Sequence, residues 1–417
     1  MFDRKLKGRM LALGAGLLSA ALAFAEEPVR SAQDLNATLD KPEILADEVS
    51  EEPAEDAPWG MVESFTGFNI NKTSFMESMG VRLDGWVDVG IGGNLLGSKD
   101  GFNGPVTFDD RTNDPGMNQL YIYVERAIND QGDSWDFGFR GDMVYGTDAR
   151  FTTAKNLDDN LLDAPFYKMA FPQFYINVFA PIGNGVTMTV GHFYTIIGYE
   201  VVTAPDNFFF SHAYTMQYGE PFTHTGVLFS YPINDNFSVT GGVTSGWDAF
   251  FQDPPNFLGG VNFTSDDEAT SVAVSLITGD TSQDNRQNRT MYSIVASHDF
   301  TDDLHYVFQH DFAVEQNATF SGDTAYWYGV NQYLSYDIED DLAAGLRFEW
   351  FRDEDGVRVG FGPNSYFEVT AGFNWEPTSF LTLRPEFRYD WSTTNPAYDG
   401  GTAKQQYMLA LDAIFQF

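Results

Sequence analysis

Charged residues alternate with apolar residues in several short segments, a spacing that could support electrostatic contact with ions or polar solutes. Within residues 380–391, Arg384, Glu386, Arg388 and Asp390 alternate with apolar neighbours. Alternate side chains of a β-strand point to opposite faces, so these four charges would share one face. Because Arg costs roughly 2–4 kcal/mol at the midplane of a bilayer, that face should not contact lipid. The row therefore predicts an interior that holds water.

The same alternation places charged residues on the inward face of other segments. If the segments enclose a pore, opposed acidic and basic rows would create an electric field across it. Such a field selects small polar solutes by orientation as well as by the sign of their charge. The pore-lining candidates are Arg82, Asp84, Asp88, Asp136, Arg140, Asp142, Arg347, Glu349, Arg384, Glu386, Arg388 and Asp390.

The histidines and serines form no pattern for catalysis. A barrel lipase would need a Ser–His pair on its lipid-facing surface, and His310 is predicted to face outward while the nearby serines fall on inward rows. His298 and His305 flank an acidic turn that could be interpreted as a metal site, but a solvated turn explains them better. The chain has no Cys, which excludes thiol chemistry. We expect no enzymatic activity, no cofactor and no metal.

Sixteen alternating segments recur from Val81 to the end of the chain. Most have about the 9–11 residues that a tilted membrane strand needs. The last ends on Phe417 and resembles the terminal strand of bacterial outer-membrane barrels, whose final phenylalanine is part of the assembly signal. We expect it to pair with the first strand. The segments lie near 81–91, 118–128, 134–144, 173–180, 185–193, 222–231, 236–245, 257–264, 269–278, 290–299, 303–313, 325–336, 342–352, 366–375, 380–391 and 406–417.

The connections between these segments alternate in length. Links from even to odd segments are short and rich in Asp, Asn, Gly and Pro, such as residues 181–184 and 232–235. Most links from odd to even segments are longer, such as residues 92–117 and 194–221. A soluble β-sandwich has no reason to sort loops in this way. The sequence predicts an all-β transmembrane antiparallel barrel of about 16 strands (14–18), with short periplasmic turns and long extracellular loops.

Composition and the N-terminal residues agree with an exported protein. Aromatic residues make up 16% of the chain. The net charge of −37 disfavours nucleic acid as a partner. Residues 1–25 combine a basic start, an apolar stretch and an A-F-A cleavage site, as in a signal peptide. Residues 26–58 are acidic and poor in large apolar residues, which predicts a disordered periplasmic segment. Residues 59–80 should dock on the barrel or plug it, and residues 81–417 should form it.

The link of residues 194–221 is the candidate for a constriction. It contains five aromatic residues between 208 and 218, too apolar a set for a loop exposed to solvent. Folding inward against the wall would cover them, whereas capping the mouth or packing on a neighbouring subunit is the alternative. The constriction candidates are Asp206, Asn207, His212, Gln217 and Glu220.

Several short motifs carry a resemblance to a known family. They are E-V-V-T-A-P-D-N-F-F-F-S-H-A-Y from residue 200, G-E-P-F-T-H-T-G from residue 219, L-G-G-V-N from residue 258 and S-L-I-T-G-D from residue 275. In this order they resemble the putative beta-barrel porin-2 (OmpL-like) family of Gram-negative-type bacteria. The resemblance covers roughly residues 81–417 and implies an outer-membrane porin, without established substrates or site residues.

Together these patterns predict a passive diffusion pore for small polar solutes and ions. Residues 81–417 contain 46 acidic and 16 basic residues, which favours a mild cation preference. Expected partners are outer-membrane lipid, the barrel-assembly machinery, small solutes and two further copies in a homotrimer. The alternatives are a structural or adhesin barrel with an obstructed lumen and a secreted two-sheet binding protein.

Pro385, which removes a ladder hydrogen bond in mid-strand, predicts a bulge.

Overall fold

The computed structural model describes residues 60–162, 164–281 and 287–417. The predicted signal peptide and acidic segment lie outside the described residues. Two short helices, α1 (Met61–Thr66) and α2 (Ser74–Met79), precede the strands. The strands are β1 (Arg82–Asn94), β2 (Gly116–Arg126), β3 (Asp136–Gly146), β4 (Lys168–Ala170), β5 (Phe174–Ala180), β6 (Val186–Tyr194), β7 (Thr223–Asn234), β8 (Phe237–Thr244), β9 (Asn256–Thr264), β10 (Thr270–Asp280), β11 (Asn288–Thr301), β12 (Leu304–Glu315), β13 (Ala325–Glu339), β14 (Leu342–Asp353), β15 (Asn364–Thr378), β16 (Leu381–Ser392) and β17 (Gln405–Gln416).

The strands close into one antiparallel barrel. Neighbours in sequence pair with each other, and β17 pairs with β1 from Trp86↔Gln416 to Asn94↔Met408. The short β4 and the adjacent β5 both pair with β3, so they form one interrupted strand of the wall. The barrel therefore has sixteen strands, which confirms the predicted fold class and the role of the last strand in closure.

Alternation in β17 shows why these segments become wall strands. Leu409 and Leu411 are 52% and 44% exposed on the outside, whereas Met408 and Asp412 are buried inside. A strand of this kind is stabilised when one face contacts lipid and the other faces a polar or packed interior. Among the described residues, no helix has the length and apolar character needed to span a membrane.

The connections sort by length as predicted. We call the end that carries residues 60–80 and Phe417 the turn end, and its links include residues 235–236, 302–303, 340–341 and 379–380. The opposite, loop end carries the longest links, residues 95–115, 147–167 and 195–222. The longest link at the turn end is residues 127–135.

The predicted bulge at Pro385 is wrong. β16 and β17 keep one register from Leu381↔Phe415 to Trp391↔Gln405. The missing N–H is tolerated on the other side of β16, where paired positions with β15 skip from Gly372↔Glu386 to Trp375↔Leu383 without a change of register. An interrupted ladder therefore accommodates the proline.

Candidate constriction site

The link of residues 195–222, which we call the inner loop, folds into the barrel. It leaves the wall after β6 and returns at β7, and β15 lies half-way around the ring from β7. The middle of the inner loop nevertheless contacts side chains of β14 and β16. Phe209, Phe210 and Tyr214 are buried by this course, which agrees with the loop's apolar composition.

Two arginines of β16 hold the inner loop by its backbone. Arg384 donates through Nη1 to the carbonyl oxygens of Ala204 and Asn207, each at 2.6 Å. Arg388 donates through Nη1 to the carbonyl oxygen of His212 at 2.5 Å. Hydrogen bonds from a charged donor are roughly twice as strong as neutral ones. The two side chains, 2% and 0% exposed, therefore fix the loop against the wall.

Arg347 of β14 adds the third attachment. It donates to the carbonyl oxygen of Ser211 at 2.5 Å and forms ion pairs with Glu200 and Glu368, each at 2.6 Å. Burial alone would raise the pKa of the Glu200 carboxyl. The charge of Arg347 and a hydrogen bond with His212 outweigh it and lower the pKa to about 2. Glu200 is thus held ionised inside the barrel.

A row of carboxylates on the inner wall binds the next part of the loop. Two of them, Glu349 and Asp390, lie two residues beyond Arg347 and Arg388 in the same strands. Glu349, Glu368 and Asp390 are direct neighbours across β14, β15 and β16. Glu349 accepts the backbone N–H groups of Tyr214 at 2.5 Å and Thr215 at 2.6 Å. The hydroxyl of Tyr214 donates to Asp390 at 2.7 Å. The acidic level therefore binds loop donors, while the arginine level binds loop carbonyls.

The five predicted constriction residues have different surroundings. Asn207, His212 and Glu220 are buried, and Glu220 accepts a hydrogen bond from the wall residue Gln309 at 2.6 Å. Gln217 is half-buried, and its amide donates to the backbone of His212 at 2.7 Å. Asp206 is exposed. Of the two carboxylates among these candidates, that of Asp206 is the more exposed.

Comparison with known proteins places this architecture in a family. A family model described as Putative beta-barrel porin-2, OmpL-like, matches residues 80–417. The chain belongs to this porin family. No curated protein matches the chain.

Solved outer-membrane structures share the fold of this porin. The outer membrane channel DcaP of Acinetobacter baumannii is 11% identical, with a TM-score of 0.55 over 81% of this chain and 97% of the channel. An anion-selective porin from Comamonas acidovorans is 10% identical, with a TM-score of 0.55 over 81% and 99%. OprB of Pseudomonas putida is 11% identical, with a TM-score of 0.55 over 82% and 96%. At these identities the likeness shows the fold alone.

The charged rows of this porin face inward, but the inner loop and neighbouring side chains cover most of them. The exceptions are Arg82, which is exposed and pairs with Asp84 at 3.0 Å, and Asp136, which is half-buried and pairs with Arg126 at 3.1 Å. The other candidates are buried, several of them through ion pairs with each other or hydrogen bonds to the inner loop, and their role in lining the pore stays a prediction. These buried candidates are Asp84, Asp88, Arg140, Asp142, Arg347, Glu349, Arg384, Glu386, Arg388 and Asp390.

Wall glycines make room for the loop aromatics. A Cβ atom on Gly345 would lie 2.3 Å from the ring of Phe208, and one on Gly90 would lie 2.5 Å from the ring of Phe210. Both distances are far below van der Waals contact. Only glycine therefore allows the loop to approach the wall at these two positions.

Sequence reasoning missed an apolar level on the inner wall toward the loop end. Leu258, Ile277, Met291 and Trp327 belong to one buried cluster, and register joins the first three across adjacent strands. Trp247, from residues 245–255, packs in the same cluster. In these segments both faces are apolar, so alternation could not have shown an inward apolar row. Sequence reasoning also missed the roles of Glu200, Tyr214 and Thr215 in docking the loop.

The two histidines at the turn end have different partners. His305 lies 2.6 Å from Asp299 through Nδ1 and 3.3 Å from Asp337 through Nε2. His298 instead contacts the hydroxyl of Thr270 at 2.8 Å. Across residues 60–162, 164–281 and 287–417, no group of three His, Cys, Asp or Glu side chains could hold a metal ion. His305 thus bridges two strand ends by hydrogen bonds.

Proposed function

We propose that this protein is a passive outer-membrane channel for ions and small polar solutes, and that the inner loop forms its constriction. One observation carries the proposal: three arginines of the wall hold a loop that crosses the interior at a level of opposed charge. A loop fixed in this way would narrow the bore of the barrel.

The charge of the chain supports a mild cation preference. Residues 81–417 carry 46 acidic and 16 basic residues. The basic residues Arg347, Arg384 and Arg388 are neutralised by buried carboxylates, whereas Asp206 of the inner loop is exposed. An exposed acid in a low-dielectric tube attracts cations and repels anions. The reversal potential across a KCl gradient tests this, and clear anion preference would refute it.

Targeting and assembly follow from the same proposal. Export by a signal peptide at residues 1–25 and recognition of Phe417 by the assembly machinery stay predictions, which N-terminal sequencing of the mature protein and truncation of Phe417 would check. A homotrimer is also a prediction, and native mass spectrometry of the detergent-extracted protein would test it.

A structural barrel with an obstructed lumen is the second candidate. The burial of the charged rows favours it, since Glu349, Arg388 and Asp390 are fully covered. Planar-bilayer recording of the refolded protein separates the two functions. Steady single-channel steps in the wild type support the channel. A silent wild type, with steps only after the loop attachment at Arg388 is removed, supports obstruction.

A further inference from the structure

Residues 60–80, which we call the collar segment, expose an unusual amount of apolar surface. Phe65 is 75% exposed, Phe75 71%, Phe68 55% and Met79 54%. Four large apolar side chains left open in so short a segment indicate an apolar partner. The charges nearby are partly neutralised, because Lys72 pairs with Glu63 at 2.7 Å.

The collar segment lies at the seam where the barrel closes. The backbone ladder between β1 and β17 ends with two hydrogen bonds that join Gly85 and Phe417. Leu83, one step beyond this end, instead binds the side chain of Asn71: its N–H donates to Oδ1 at 2.9 Å, and its carbonyl accepts from Nδ2 at 3.3 Å. The Asn71 carboxamide therefore takes the place of the next backbone unit of β17.

Two further contacts hold the collar segment at the rim of the wall. The ring of Phe65 meets the ring of Phe380, in the turn between β15 and β16, edge to face with centroids 5.7 Å apart. A Cβ atom on Gly60 would lie 3.0 Å from the Cα atom of Phe417. Together with Asn71, these contacts fix the segment under the end of β17, between β1 and β16.

The neighbouring wall surface is the lipid-facing one. Gly85 alternates with the inward Asp84 and Trp86, and the ring of Phe417 packs against this outer side of β1. On the other side of the segment, Gly80 lies near Arg126, whose guanidinium covers the ring of Phe137, an outward residue that is 57% exposed. The collar segment therefore lies beside the lipid-facing band of the wall.

We propose that the collar segment is an interfacial anchor, with Phe65, Phe68, Phe75 and Met79 inserted among lipid acyl chains at the turn end of the barrel. Aromatic side chains and short amphipathic segments are stabilised at the boundary between headgroups and hydrocarbon. The proposal assigns the segment to lipid, rather than to the lumen as a plug or to a second copy of the chain. It rests on the membrane placement of the barrel and is independent of conduction.

The absence of cysteine makes a site-directed spin-label experiment direct. Phe65→Cys and Phe75→Cys, each labelled with a nitroxide, are reconstituted in phosphatidylethanolamine–phosphatidylglycerol vesicles. Collision with oxygen, which concentrates in lipid, is compared with collision with a water-soluble nickel chelate. Leu409→Cys on the outer wall is the lipid reference, and Phe320→Cys in a fully exposed loop is the water reference.

We expect the oxygen-to-nickel ratio at positions 65 and 75 to shift from the water reference toward the lipid reference. A ratio equal to that at position 320 would overturn the proposal. So would low accessibility to both reagents, as expected of a luminal plug, or dipolar broadening between labels, as expected of a contact between copies. Phe68→Cys and Met79→Cys serve as a second pair if a variant fails the heat-modifiability test of folding. Because conductance is not measured, failure here leaves the channel proposal unaffected.

Discussion

The Nη1 atom of Arg384 in β16 lies 2.6 Å from the carbonyl oxygen of Ala204. Ala204 belongs to the inner loop, which leaves the wall at a distant strand, β6. The same guanidinium donates through Nε to both carboxylate oxygens of Asp412 at 3.1 Å. One side chain therefore fixes the loop and neutralises a buried acid. These two roles can be separated by mutation.

Arg384→Met should destabilise the barrel strongly, because it leaves the carboxylate of Asp412 buried without its partner. Removing one partner of a buried ion pair costs roughly 3–5 kcal/mol. The double variant Arg384→Met/Asp412→Leu should lose much less, yet both variants release the loop backbone. Chemical unfolding in detergent measures the first effect, and single-channel conductance, expected to rise in both, measures the second.

Arg352→Gln is the matched control for this pair. Arg352 bonds to Glu354 near the loop end, and the carboxylate of that pair is 43% exposed, so its loss should change stability by less than about 1 kcal/mol. Unchanged conductance in both Arg384 variants would contradict the role of Arg384 in fixing the inner loop.

Glu200 should make the loop attachment sensitive to acid. Its pKa is lowered to about 2 in the folded protein, so it stabilises the fold fully above its ordinary pKa near 4.5. That contribution is lost as the pH falls from about 4.5 toward 2, because in this range the unfolded state takes up a proton on the carboxyl while the folded state, which keeps the pair with Arg347, does not. The melting temperatures of the wild type and Glu200→Gln should converge as the pH is lowered through this window. A constant difference from pH 7 to pH 3 would exclude the mechanism.

The sixteen strands could be predicted because lipid on one side forces a period of two, as in β17. The contacts of the inner loop could not. Arg388 binds the carbonyl oxygen of His212, and every residue has a carbonyl oxygen, so no residue type marks the acceptor. Alternation also placed Arg347 and Glu349 on the inward face, but it gave no information on what covers them. Burial depends on the path of a loop, and that path is set by contacts between residues far apart in sequence.

Gly345→Ala should disturb the inner loop from the wall side. The added Cβ would lie 2.3 Å from the Phe208 ring, and overpacking of this kind costs typically about 1–3 kcal/mol. Combining it with Phe208→Leu should recover part of the loss, since the smaller side chain frees the space. Thermal unfolding measures both variants. Gly132→Ala is the control, because its Cβ would have only ordinary contacts of 3.6 Å. An unaltered melting temperature in Gly345→Ala would contradict the close approach.

Asp206→Asn tests whether the exposed acid of the inner loop sets ion selectivity. Removal of this charge should shift the reversal potential in a KCl gradient toward that of a non-selective pore, because the remaining loop acids Glu200 and Glu220 are buried. Stability should stay within about 0.5 kcal/mol, as for most exposed substitutions. Asp323→Asn, an exposed acid in residues 316–324, is the matched control and should leave selectivity unchanged. Equal shifts in both variants would mean that the overall charge of the protein, and not the constriction, determines cation preference.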